Sequence, residues 1–272
     1  MPAAHAIVRV AIVQAETAAI ATNLPTPSRG FVFLGVFAII RIMKYRYKII
    51  LDKERDAWNW FDASQKPSFQ GCSWRNFLHN QDLEFFDNIV KLPPQNAKQK
   101  INHYLTEKYN TNKNLFVERT KLIDEKLDEK FLSACKWLEK TTGHPLFFHN
   151  YIIYLTTFPR SPYDAENGSF FINIYKQNGL INVFLHEGLH FQFINYWRNN
   201  KKTLVSQMSK DKFETLKEAL TVIIDEDAVP PADYPDKGYI ASHQKIRESL
   251  HAEWKKTHNF DALTEYGVKL LE

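Results

Sequence analysis

VFLHEGLHFQF, residues 183–193, sets two histidines four apart, with a glutamate after the first, inside an otherwise apolar run. Val183, Phe184 and Leu185 precede the polar groups, Gly188 and Leu189 lie between them, and Phe191, Phe193, Ile194 and Trp197 follow. A helix of this composition is apolar nearly all round and is therefore buried. Two imidazoles and a carboxylate in such a helix need partners, because an unpaired charge in an apolar interior is strongly destabilising. Positions i and i+4 share a helix face, so His186 and His190 can each offer a ring nitrogen to one Zn²⁺ at about 2.0–2.1 Å. Glu187 sits one step round, placed to reach the water that such a metal activates, as the base of metal-assisted hydrolysis. The other reading makes both histidines core residues bonded to backbone carbonyls, with Glu187 capping or paired to a lysine. A metal satisfies all three groups together. HExxH also arises by chance, so the apolar surroundings carry the reading.

Working outward, the chain of 272 residues is 44% apolar and 14% aromatic, enough to fill a substantial core. Its net charge of +4 comes from cations scattered among nearly as many acids. No dense basic stripe is present, so no nucleic-acid partner is expected. Cys72 and Cys135 are the only cysteines and lie far apart, which argues against a disulfide framework and for a reducing, cytoplasmic compartment. Residues 1–42 differ in composition and contain the apolar run FVFLGVFAII at 31–40. That run is short for a bilayer span and no small-residue cleavage pattern follows it, although an anchor or signal remains the alternative. Residues 1–42 are expected to be an upstream extension or a loosely held segment, the functional module beginning near Met43.

Residues 43–145 read as a mainly helical N-terminal part. The clearest stripe is Ile123, Leu127, Phe131, Ala134 and Leu138, stopped by Gly143 and with Cys135 packed beside it. Residues 146–272 form the core of the reading. YIIYLTTF at 151–158 and SFFINIY at 169–175 are β-branched and aromatic and predict two strands. Helical segments are expected at about 180–198, 211–227 and 239–256, separated by RNNKK and PPADYPDKG.

The HExxH run in uncharged surroundings, just after a predicted strand, resembles the zincin metallopeptidases, the likeness covering about 150–227. The resemblance implies an α+β, zincin-like fold and Zn²⁺ as cofactor. It also implies a peptide or protein substrate, bound in extended form along an edge strand for which SFFINIY is the candidate, an interior strand being the alternative. Gln192 falls where an apolar residue is more common. Metzincins continue to a third histidine, and here that position is Tyr196, which disfavours that branch. The gluzincin branch takes a glutamate from a following helix. Glu214 and Glu218 compete for that role in DKFETLKEALTVIID. Asp211 and Glu214 have capping-box spacing, whereas Glu218-Ala219-Leu220-Thr221 resembles the ligand helix, so the resemblance carries the third-ligand role to Glu218. By periodicity alone Glu218 projects away from its helix's apolar arc, towards either a cleft or water. Gluzincins then place an aspartate that orients a metal histidine; this chain has Val222 there, with Asp225 as a substitute.

Tyr239 and His243 share the apolar stripe of the last expected helix. They are candidates for the donor that stabilises the oxyanion, or else satisfied core residues. His149 is read as structural. The expected activity is zinc-dependent hydrolysis of peptide bonds, with His186, His190 and Glu218 as ligands and Glu187 as base. The alternative is a latent or inactive zincin-like metal-binding protein acting as a binding module.

Overall fold

The chain is known from a computed structural model, which describes residues 44–69, 71–225, 232, 233, 236, 238 and 240–272. The expectations for residues 1–42 and for Tyr239 lie outside the described residues. Lys44–Glu272 gathers into one unit of α+β architecture.

Strand β1 (Arg46–Leu51) leads into four helices: α1 (Lys53–Gln65), α2 (Asn80–Ile89), α3 (Pro94–Thr111) and the long α4 (Lys113–Thr142). Between α1 and α2 lies a small hairpin, β2 (Ser68–Phe69) with β3 (Cys72–Ser73), followed by a 3-10 turn, Trp74–Phe77. Strands β4 (Asn150–Thr156), β5 (Tyr163–Asp164) and β6 (Ser169–Asn173) come next. The chain ends in α5 (Leu180–Phe193), α6 (Lys210–Leu220), α7 (Gln244–Thr257) and α8 (Phe260–Leu271).

The main sheet has the order β1-β4-β6-β5, parallel except for β5, which runs antiparallel to β6. The polar string before α1 had been read with the helical part, yet RYKIIL pairs along its whole length with β4. The expected parts 43–145 and 146–272 therefore share one sheet. SFFINIY is also not the free edge: β6 is flanked by β4 and by β5, and the Phe171 N–H is taken by the Pro162 carbonyl at 3.0 Å. The short β5 is the edge on that side, and β1 the edge on the other.

Local chemistry accounts for most boundaries. Asp52 caps α1 through the Glu54 and Arg55 amides, and Gly143 ends α4 in the left-handed conformation at φ 72°. The α4 stripe read from sequence is buried, and Phe131 meets Phe184 of α5 with ring centroids 4.9 Å apart. Gly188 lets the two helices approach, since a Cβ there would stand 2.7 Å from Leu138 Cδ1. A second core, centred on Trp60, packs α1–α3 against Phe158. Two expectations about helix ends change. Ser209, not Asp211, caps α6, and Glu214 turns instead to Lys217. The last expected helix starts at Gln244 after a short 3-10 turn, and α8 was not anticipated from sequence.

No helix among the described residues is long and apolar enough to cross a membrane.

Candidate metal centre and its cleft

Helix α5 starts at Gly179, whose φ of 68° suits glycine, and whose N–H is accepted by Asp233 Oδ2 at 3.0 Å. Apolar residues cover nearly all of the helix and press it between α4 and the sheet. One arc of it carries His186, Glu187 and His190 to a cleft of about 980 Å³. The two imidazole centroids stand 4.4 Å apart.

Glu218 arrives from α6. Its Oε2 lies 3.5 Å from His186 Nε2 and its Oε1 lies 3.4 Å from His190 Nε2. Its side chain is only 11% exposed, so the reading of Glu218 as a charge in water does not hold. One donor atom from each of the three residues falls within 4.8 Å of the others. Ligands held about 2.0–2.1 Å from a tetrahedral metal are separated by ~3.3–3.4 Å, which is close to these spacings. His190, 1% exposed, has neither ring nitrogen hydrogen-bonded among the described residues, and Glu187 Oε2 is buried in the same condition. Core histidines bonded to backbone carbonyls would not leave these atoms open. Two imidazoles, a carboxylate and buried atoms without a hydrogen bond could together hold a divalent cation.

Supporting groups surround these three. Asp236 Oδ2 meets His186 Nδ1 at 2.6 Å, leaving Nε2 turned to Glu218. Asp236 was not singled out from sequence, where Asp225 was the substitute offered for an aspartate beside a histidine. Arg247 supports Asp236 from the other side, donating to its carbonyl and, at 2.7 Å, to Thr221 Oγ1. Lys217 is 3% exposed and was not anticipated; its Nζ lies 2.6 Å from Glu214 Oε2, 2.7 Å from the Tyr163 hydroxyl and 3.2 Å from Glu218 Oε1. Gln192, also buried, answers its own anomaly: it accepts from Phe147 N and donates to the Pro145 carbonyl, tying α5 to the α4–β4 connection.

Burial opposes charge at every member, and the neighbours decide the outcome. For His186 burial works downward, but Asp236 outweighs it, with Glu218 and Glu187 adding to the rise, so the imidazole is held well above its ordinary value. Burial drives His190 down to about 3 although Glu218 pulls the other way. Burial lifts Glu187 to about 8 against the lowering effect of His186, while Glu218 adds to the rise. Glu218 falls well below the carboxylate range because the two histidines overcome its burial. A buried carboxyl that holds its proton near neutrality can both take and return one.

Of the residues expected at the site, His186, Glu187, His190 and Glu218 come together. His243 does not join the cleft; it is buried on a separate small cavity behind His186 and Glu218, beside Arg247. His149 is exposed and stacks edge-on with Tyr45, away from the centre. The far wall of the cleft comes from Phe69, Trp74 and Phe77 of the N-terminal part, together with Arg160 of the β4–β5 connection. No protein-family model, curated protein or solved structure matches the chain.

Proposed function

We propose that this chain is a zinc-dependent metallopeptidase, zincin-like in fold and gluzincin-like in its ligands, with His186, His190 and Glu218 holding the metal. The observation that carries the reading is the convergence of those three side chains within 4.8 Å, beside a buried Glu187 with an oxygen left open. Zinc in a two-histidine, one-glutamate set supplies Lewis acidity and makes water acidic enough to be a nucleophile near neutrality. Glu187 takes the proton of the attacking water and returns it to the leaving amine. Asp236 fixes the ring of His186 through Nδ1, so that Nε2 is the ligating atom. The cleft of about 980 Å³ accommodates several residues of an extended chain, with the N-terminal aromatic wall opposite the ligands.

Zinc content of the wild type and of Glu218→Ala, with cleavage of fluorescein-labelled casein by the wild type and by Glu187→Gln, tests this directly. The wild type should carry one zinc per chain and Glu218→Ala far less. Glu187→Gln should keep the zinc and lose cleavage by about 10²–10⁴-fold. A wild type without zinc removes the reading. Zinc without cleavage of any peptide favours the latent, metal-binding alternative.

A further inference from the structure

For the oxyanion-stabilising donor, expected downstream at Tyr239 or His243, the described residues offer a candidate upstream, on the edge strand. Tyr163 lines the cleft together with Glu187 and His190, its ring centroid 5.5 Å from that of His190. The phenol oxygen is met by Lys217 Nζ at 2.7 Å. An ammonium has three N–H groups and no lone pair. Those of Lys217 face three oxygens, Glu214 Oε2 at 2.6 Å, the Tyr163 hydroxyl and Glu218 Oε1 at 3.2 Å. In the Tyr163–Lys217 contact the lysine must donate and the phenol must accept. The phenolic hydrogen is then left for another acceptor, and none is provided among the described residues. A phenol whose oxygen already accepts from a cation is also a stronger donor, because the bond draws electron density from the O–H. His243 lacks this placement, since it faces the small cavity on the other side of His186 and Glu218.

We propose that Tyr163 is a catalytic residue that donates its hydrogen bond to the substrate carbonyl oxygen as negative charge develops there, and that Lys217 is the positioning residue that orients it. This rests on the metallopeptidase reading of the centre. The same lysine touches the metal-ligating Glu218, so edge strand and ligand helix are held in register by one side chain.

Zinc-loaded wild type and Tyr163→Phe, compared on one quenched-fluorescence peptide found by cleavage with the wild type, test the assignment. Tyr163→Phe should lower kcat by about 10²–10³-fold, with KM and zinc content unchanged. A phosphinic pseudopeptide of the same sequence, which mimics the tetrahedral intermediate, should bind the variant more weakly by a similar factor, while the uncleaved peptide binds Glu187→Gln and Glu187→Gln/Tyr163→Phe alike. Lys217→Met, checked for zinc and for a cooperative melt, should reproduce the loss of kcat. Tyr163→Phe with wild-type kcat and wild-type pseudopeptide affinity overturns the donor role while leaving the peptidase reading intact. A wild type that binds no zinc, or a Glu187→Gln variant that cleaves as well as the wild type, overturns both.

Discussion

Asp236 shows how much a single side chain decides. An imidazole can ligate through either nitrogen, and the 2.6 Å contact from Asp236 to Nδ1 of His186 selects Nε2. Asp236→Asn is expected to weaken zinc binding by about 10–100-fold, read by competition with a chromophoric chelator; unchanged affinity would show that the ring is oriented by packing alone. Gln192 is the opposite case. It is polar at a position where an apolar residue looks more natural, yet each of its amide atoms has a backbone partner, so Gln192→Leu should cost about 1–3 kcal/mol through the Phe147 N–H left without an acceptor. Urea denaturation would register that loss without change in zinc content.

At the level of elements, the position of the centre depends on how closely α5 lies on α4. Gly188 sits between the two histidines, where a methyl group would meet Leu138 Cδ1 at 2.7 Å, and Leu138 is fully buried and has little room to yield. Gly188→Ala should therefore destabilise the fold by about 1–3 kcal/mol, and the cost should shrink in a Leu138→Ala background, which thermal melts of the double-mutant cycle would reveal. Helix α6 presents Glu218 from the side opposite its apolar arc, and its first turn is fixed by Ser209 accepting from Lys212 N. Ser209→Ala should cost about 0.5–2 kcal/mol and loosen the helix that carries Glu218 without altering Glu218 itself.

Across the molecule, the N-terminal helices and the later sheet are joined by ionic and polar contacts as well as by β1. Asp62 of α1 meets Arg160, in the β4–β5 connection, at 2.7 Å, and Lys66 at 3.3 Å. Burial works to raise the Asp62 carboxyl, but Arg160 and Lys66 prevail and hold it below its usual value. A carboxyl lowered in the folded state contributes stability that is present above its unfolded pKa of about 3.9 and is lost as pH falls through the lower folded value. Wild type should melt above Asp62→Asn at neutral pH, and the gap should close as pH is taken below about 4. A gap that stays constant would show that the pair does not stabilise through its charge. The same connection helps to line the cleft, so acid loosening of this contact would also disturb the wall that faces His186 and His190.

The sequence alone determined what is local. HExxH in an apolar helix fixed a buried helix with both imidazoles on one face, because the i, i+4 relation is set by helix geometry. The α4 stripe ended at Gly143 for the same kind of reason, and the two β-branched runs became β4 and β6. Glu218 was reached only through the likeness of its neighbours to a ligand helix, since periodicity pointed it away from the core without saying what lay there. Only the tertiary structure could decide what depends on distant segments. RYKIIL became a strand because β4 was there to pair with it, and SFFINIY lost its edge because Tyr163 and Asp164 folded back on it. Asp236, Lys217 and Tyr163 gathered round the histidines from three separate stretches of chain. No spacing rule in one dimension encodes such meetings, since they arise from how layers pack to bury a common core.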